Sequence, residues 1–447
     1  MAKIREKLTH TQIIAIGFIV VIVIGALLLS LPVSSRSGEW TNIFDSLFTS
    51  VSATCVTGLV VFDTYTHWSV FGQTVILVLI QIGGLGFMSV ITMFFIFMKK
   101  QISLNERKLL MQSAGTMQIG GVVRLIRSIV IGTLAVEAAG AVILSFRFVP
   151  RMGFWEGIGN AVFHSVSAFC NAGFDLMGKY GQYSSMTSFA DDPVVVITLA
   201  LLIIIGGMGF LVWKDLIRCR FRISSCELHT KIVLATACFL VVVGTGLMLL
   251  FEYSSTAMAG MNFWEKLYNA FFAAVTPRTA GFNTIDTAGM SESGAVLTIL
   301  YMFIGGSSGS TAGGVKTTTI AVLFFAAVSC TRRNRSVTVF RRRIEDDIIR
   351  QACSIALIYI TAAFVCTMAI CAMEPLTMKQ ALYEVVSALG TVGLSLGITP
   401  TLCAASRIIL MLLMFAGRIG GLSFILFLAE KRSHPPIDRP VGKVLIG

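Results

Sequence analysis

The chain has 447 residues, of which 55% are hydrophobic and only 13% charged, with a mean hydropathy of +0.83. A soluble globular domain carries roughly 25% charged residues, so this composition, with its long apolar runs, excludes an ordinary soluble fold and points to the bilayer. The net charge of +12 does not indicate a nucleic-acid binder, because the basic residues lie between apolar segments and accompany no zinc-ligand spacing, RNP motif or helix-turn-helix pattern.

In chain order, the apolar runs predict spans over 11–33 and 70–98, 122–149 and 193–214, 229–252 and 295–330, 352–373 and 406–429. About 20 residues cross a bilayer core at 1.5 Å per residue, so each run is long enough. The first run is long for a signal h-region and lacks a small-residue cleavage site, so it is read as retained. The ten cysteines are scattered mostly through apolar stretches without CxxC or framework spacing, and read as reduced, small core residues.

Between the two members of each pair lies an amphipathic stretch that ends in a glycine segment: FDSLFTSVSATCVTGL (44–59), GNAVFHSVSAFCNAGF (159–174), LYNAFFAAVTPRTAGF (267–282) and KQALYEVVSALGTVGL (379–394). Aligned without gaps on Gly58, Gly173, Gly281 and Gly393, all four carry an aromatic ten residues earlier: Phe48, Phe163, Phe271 and Tyr383. A second motif follows within each returning run: IGGLGF (82–87), IGGMGF (205–210), IGGSSG (304–309) and IGGLSF (419–424). Two interleaved motifs, four times in fixed order, define an internal repeat. The predicted units are 1–108, 109–222, 223–343 and 344–447, the last including a C-terminal tail.

The predicted fold is therefore an all-α polytopic membrane protein. Four helix–re-entrant helix/loop–helix repeats, with eight transmembrane helices, surround a pseudo-fourfold pore. The amphipathic segments are too short to cross, and glycine-rich backbone at membrane depth survives only where protein buries it or a watery cavity meets it. Lys and Arg concentrate before the first span, between the repeats (99–108, 214–222 and 332–343) and at the end of the chain, which places those segments and both termini in the cytoplasm. The glycine segments then face outward.

A desolvated K⁺ needs a ring of oxygens, which backbone carbonyls supply without adding charge. Glycine lets the chain take φ > 0 and aim successive carbonyls at one axis, and a short helix ending there turns its negative dipole end to a cation. The candidate filter residues are Val56, Thr57 and Gly58; Asn171, Ala172 and Gly173; Thr279, Ala280 and Gly281; and Thr391, Val392 and Gly393. This arrangement is similar to the K⁺-channel filter TVGYG, but shorter, with no second glycine and no tyrosine, so looser discrimination against Na⁺ or Rb⁺ is expected.

The third returning run reads Gly305-Gly306-Ser307-Ser308-Gly309-Ser310-Thr311-Ala312-Gly313-Gly314-Val315-Lys316, and so many glycines do not favour helix. An irregular loop there, below the filter and in one repeat only, is a candidate gate. Arg418, mid-span in the fourth returning run, is costly unless it faces a cavity or a partner. Together with Lys316 it is a candidate electrostatic barrier. Glu137 and His164 are read as structural. Asp63, Asp175, Asp286 and Glu292 follow filters on the outer side, where solvated loop charge is the simpler reading and cation focusing the sharper one. Arg278, three residues before its filter glycine, is read as a brace.

Pore helix plus single-glycine filter four times, with PRTAGF (277–282), GGSSGSTAGGVKTTT (305–319) and GRIGGLSF (417–424), resembles the Ktr/Trk/HKT superfamily of K⁺ transporters over nearly the whole chain. With no extra N-terminal helix pair, it is most similar to the Ktr branch and its KtrB-type ion-translocating subunits. The resemblance implies K⁺ uptake across a bacterial plasma (inner) membrane and an intramembrane gating loop at 305–316. It implies a homodimer with one pore per protomer, seated on a cytosolic RCK-type (KtrA-like) ring that binds ATP, ADP or another nucleotide. It also implies the tail 435–447 at the dimer interface, no cofactor in this chain, and Na⁺ as a candidate activator. No GxGxxG follows a strand, so nucleotide sensing falls to the partner, and no HExxH, GxSxG or DxD pattern marks an enzyme. An alternating-access transporter is the remaining alternative, since broken helices and repeats also mark those folds.

Overall fold

The structure is a computed structural model that describes residues 10–86, 122–334 and 336–420. The basic segment 99–108 and the C-terminal residues 421–447 lie outside the described residues.

Four long helices form the outer wall: α1 (His10–Ser30), α5 (Val122–Met152), α9 (Leu228–Glu252) and α13 (Asp346–Met373). Each is long and apolar enough to cross a membrane. In α1 the buried residues Ala15, Phe18, Ile22, Ala26 and Leu29 recur every three or four positions, while Ile16, Val20, Ile24 and Leu27 stay exposed. One stripe thus packs inward, and the other offers hydrocarbon to lipid.

Inside this wall stand four short helices: α2 (Ile43–Thr54), α6 (Phe154–Phe169), α10 (Phe263–Val275) and α14 (Met378–Gly390). Their starts are chemically fixed. Asn42 caps α2, and capping boxes Asn262/Glu265 and Thr377/Gln380 open α10 and α14. At 12 to 16 residues and 1.5 Å per residue, roughly 18–24 Å long, they enter the membrane without crossing it. Their C-terminal halves are buried; Phe48, Phe169, Phe272 and Tyr383 are among the largest fully buried side chains.

The returning helices depart from expectation. After the single-turn α3 (Thr64–His67), α4 (Val70–Leu85) ends at Gly86, with φ +82°. The run 193–214 is not one rod, because α7 (Pro193–Gly207) and α8 (Phe210–Arg218) meet at 90° around Gly209, with φ +94°. The run 295–330 divides into α11 (Glu292–Phe303) and α12 (Thr317–Thr331) around the loop 304–316. The last described helix, α15 (Ala404–Ile419), ends at Gly420, with φ +96°. Interruption is therefore not confined to the third unit: a glycine in a conformation closed to other residues stops or turns the helix in the other three as well. The third break spans residues 304–316.

A two-stranded hairpin, β1 (Thr338–Val339) with β2 (Arg342–Arg343), follows α12. The first and last sets of helices meet through a half-buried ion pair, Arg407 Nη1 on α15 with Asp45 Oδ1 on α2 at 2.7 Å, so the helices close a circle. Among the cysteines only Cys55, Cys170 and Cys226 are buried and Cys238, Cys330, Cys353 and Cys403 are exposed, which corrects the core reading for most of them; all ten are free thiols.

Candidate functional site

The four short helices end in segments of one shape. Val56, Asn171, Thr279 and Thr391 have φ of 57°, 59°, 74° and 52°, and Gly58, Gly173, Gly281 and Gly393 have φ of 92°, 70°, 85° and 91°. Left-handed backbone costs a β-branched residue about 1–3 kcal/mol, so the surroundings must impose it. They do so by tying the middle residue back to its own helix. The N–H groups of Thr57, Ala172 and Val392 donate to the carbonyls of Ser52, Ser167 and Ser387, each at 2.8 Å, and Ala280 N–H donates to Thr276 O at 2.9 Å.

The segments meet in a ring. A Cβ placed on Gly58 would stand 2.4 Å from Ala172 O, on Gly173 2.6 Å from Ala280 O, on Gly281 2.4 Å from Val392 O, and on Gly393 2.1 Å from Thr57 O. Each glycine abuts the middle carbonyl of the next segment, and the fourth returns to the first. Thr57, Ala172, Ala280 and Val392 are fully or almost fully buried, and their carbonyls accept no hydrogen bond from any described residue. Buried carbonyls in proteins are nearly always paired. Four unpaired ones, each beside the next segment's glycine and with their N–H groups tied back to their own helices, are a candidate site for a cation.

Hydroxyls brace this ring, and the sequence reading missed them. Gly58 N–H donates to Ser52 Oγ and Gly393 N–H to Ser387 Oγ, both at 3.1 Å. Ser167 Oγ donates to Phe174 O at 2.7 Å, and Thr276 Oγ1 to Phe282 O at 2.5 Å. The aligned serines 52, 167 and 387 were a visible signal; the third unit shifts its hydroxyl by one residue, which hid the set. A second brace uses Glu384, which accepts from Ser395 Oγ and from Thr399 Oγ1 at 3.1 Å. His164 braces the second unit in a similar way: Nδ1 donates to Asn160 O at 2.7 Å and Nε2 accepts from Leu176 N–H at 3.2 Å, which fixes the neutral Nδ1–H tautomer.

Outside the ring lies a cavity of about 210 Å³, floored by the four glycines and lined by Asp63, Asp175 and Asp286 with no lysine or arginine. Asp63 is buried and caps α3, and its Oδ2 accepts from Tyr183 N–H at 3.0 Å, so it also holds the second unit's loop. Asp175 accepts from Met177 N–H at 2.9 Å; burial pushes its carboxyl up to about 7, with the charge of Asp63 adding to the rise and the Met177 bond opposing it. Asp286 is exposed. Glu292 stands apart on the surface, paired with Lys379 at 2.8 Å.

Inside the ring, the structure gathers Gly305, Gly306, Ser307, Ser308, Gly309, Ser310, Thr311, Gly313, Gly314, Lys316 and Arg418. A Cβ on Gly313 would stand 2.1 Å from Thr391 Oγ1, so the loop lies directly against the ring. Its backbone is pinned by Gly305 N–H to Val315 O at 2.8 Å, Ser307 N–H to Gly207 O at 3.0 Å and Phe210 N–H to Gly309 O at 2.9 Å. Lys316 Nζ folds back on Ala312 O at 2.6 Å. Arg418 donates to Thr311 O and to the carbonyls of Gly83 (2.5 Å) and Gly84 (3.2 Å). No described carboxylate pairs with it; the negative end of α4 and the loop hold it instead.

The place of Arg418 also corrects the motif alignment. Gly83, Gly206 and Gly417 press equally on the ends of their short helices, where a Cβ would stand 2.2, 1.9 and 2.2 Å from Thr54, Phe169 and Leu389 carbonyls. With positive φ at Gly86, Gly209 and Gly420, this pairs 417–420 with 83–86, three residues from the match of 419–424 with 82–87. The Gly-Gly at 420–421 imitates the pair at 83–84. Arg418 therefore occupies the position of Gly84 and Gly207. Glu137 accepts from Gln81 Nε2 at 3.2 Å behind the ring, and Arg278 is buried with its Nε unpartnered among the described residues.

The profile of the TrkH family, described as cation transport protein, matches residues 4–435. The chain is 40% identical to Ktr system potassium uptake protein B of Bacillus subtilis, over 99% of this chain and 97% of that one. It is 37% identical to the potassium/sodium uptake protein NtpJ of Enterococcus hirae, over 100% and 99%. Among solved structures it is similar to the potassium transporter TrkH from Vibrio parahaemolyticus, with a TM-score of 0.76, 18% identity, and 95% and 86% of the two chains covered.

Proposed function

Because the chain belongs to the TrkH family of cation transport proteins, ion transporters and not enzymes, we propose that it takes up K⁺ through the axis of the carbonyl ring. The reading is carried by the buried, donor-free carbonyls of Thr57, Ala172, Ala280 and Val392. Carbonyl oxygens replace the hydration shell of K⁺ without a fixed charge that would trap it. In this reading the twelve residues from Val56–Gly58, Asn171–Gly173, Thr279–Gly281 and Thr391–Gly393 are the selectivity filter, and the three mouth carboxylates concentrate cations above it. The relatives' names agree on potassium, and that of the Enterococcus protein adds sodium, consistent with a short filter that discriminates modestly.

The chain is a multi-pass membrane protein; its bacterial relatives support a plasma membrane setting, and the charge distribution supports cytoplasmic termini. The loop 305–316 is the gate, latched by Arg418 and Lys316. Relatives named as Ktr system proteins support a partner, for which a homodimer on a cytosolic nucleotide-binding ring is the arrangement proposed, with Na⁺ as a candidate activator. The test is rescue of a K⁺-uptake-deficient bacterium at low K⁺, with and without a ring subunit, alongside Rb⁺ flux into proteoliposomes. Rescue with fast, K⁺-competed flux is expected; no rescue despite membrane expression with the ring present would overturn the assignment.

A further inference from the structure

The helix α8 has two ends with different chemistry. At its start, Phe210 N–H donates to Gly309 O of the loop. Beyond its end the chain turns through residues 219–227 into α9, on the side read as cytoplasmic. In that turn Asp215, Cys219 and Cys226 bring one carboxylate oxygen and two sulfurs within 4.8 Å of one another. The carboxylate is already oriented, because Oδ2 accepts Glu227 N–H at 2.8 Å while Oδ1 faces Cys219 Sγ at 3.6 Å. The sulfurs also meet each other and two carbonyls, Cys219 that of Ser225 at 3.4 Å and Cys226 that of Arg222 at 3.5 Å. These are weak thiol contacts. His229, on the first turn of α9, has a buried Nε2 with no partner among the described residues, but its nitrogens lie outside this group of ligand atoms.

We propose that Asp215, Cys219 and Cys226 bind one thiophilic divalent cation of the Zn²⁺ class, with solvent completing its coordination. The donor set decides the class. Two sulfurs and one carboxylate oxygen match zinc chemistry and suit neither K⁺ nor Mg²⁺, which take oxygen ligands. Zinc–sulfur bonds of about 2.3 Å place two sulfurs under 4 Å apart, so the cluster needs only a small contraction. Binding is not redox: each thiol loses its proton to solvent as its sulfur–metal bond forms. In a reducing compartment the two cysteines stay available for this. The ion would join the end of α8 to the start of α9, one rigid helix away from Gly309, and so bear on the loop.

The experiment uses the full-length protein purified in detergent and treated with reductant and chelator. Zn²⁺ is titrated, and bound metal is counted after gel filtration. Wild type is expected to hold one more equivalent than Cys219→Ser or Cys226→Ser, while Cys238→Ser matches wild type. In wild type, which carries no folding risk from substitution, Zn²⁺ should protect Cys219 and Cys226 from alkylation, and chelator should restore it. Equal metal content in all four proteins, unprotected thiols, or a Cys219–Cys226 disulfide in the intact mass would overturn the site. None of these readouts depends on K⁺ transport.

Discussion

Arg418, at the end of the last described helix, donates to the carbonyl of Thr311 in the loop beneath the ring. The same guanidinium grips Gly83 O at 2.5 Å, so one side chain ties together the fourth, third and first units. It stands where the first two units have Gly84 and Gly207, so only one of the three matching positions carries a charge.

Replacing this latch should free the loop. Arg418→Gln removes two or three charge-assisted bonds, each worth about 1.5–3 kcal/mol. A loss of even 1.4 kcal/mol corresponds to about tenfold in an equilibrium. Rb⁺ influx into proteoliposomes is expected to rise by roughly that factor, and deletion of 307–313 to raise it as well. Unchanged flux and unchanged regulation in both variants would remove the loop as gate.

Gly393→Ala tests the ring itself. Its Cβ would lie 2.1 Å from Thr57 O in backbone at φ +91°, and neither can yield without opening the circle. K⁺ uptake should fall by at least about tenfold, the effect of 1.4 kcal/mol. Gly38→Ala is the control, because Gly38 also has positive φ (+72°) but open space around it. Uptake through Gly38→Ala should stay near wild type; equal loss in both would show that strain, not the ring, is at fault.

Ser387→Ala takes the acceptor from Gly393 N–H. The direct cost is about 1 kcal/mol, too little to unfold the protein but enough to loosen one carbonyl of four. The K⁺/Na⁺ flux ratio should drop several-fold with little change in melting temperature, and Ser387→Thr should restore it. A preserved ratio would mean that the hydroxyl serves folding alone.

The outer mouth should titrate. Asp175 has its carboxyl pushed up to about 7 by burial, so it is neutral below that pH and charged above it. Uptake at limiting K⁺ should therefore climb between about pH 6 and about pH 8, as a carboxylate appears over the ring. Asp175→Asn should flatten the rise. A variant with the wild-type pH profile would exclude this group.

The sequence announced the glycines, because a positive φ at the axis leaves few alternatives, and it announced the long loop because small polar residues replace apolar ones there. It could not announce that Val56 and Thr391 take left-handed backbone, since local preference forbids what the tether to Ser52 and Ser387 enforces. Nor could it register Arg418: the nearby Gly420–Gly421 pair matches Gly83–Gly84 in letters, while the contacts to Thr54 and Leu389 match Gly83 with Gly417. The hydroxyl braces were partly visible as the aligned serines 52, 167 and 387, and the one-residue shift to Thr276 in the third unit broke the pattern. The bend between α7 and α8 rests on Gly209, whose motif IGGMGF marks the repeat without showing that this glycine takes φ +94°.

The contact of Gly393 with Thr57, and the ion pair of Arg407 with Asp45, join residues from opposite ends of the chain. The axis therefore cannot mature as the protein is made. Three quarters of the segments enter the membrane with their carbonyls facing an unfinished space, and those polar groups stay wet or unpaired until the last quarter arrives. Each doubling of the intervening loop adds only about 0.6 kcal/mol to closure, so the obstacle is one of timing more than of energy. A chain that stops short of residue 393 leaves Thr57 without its neighbour, and the circle stays open.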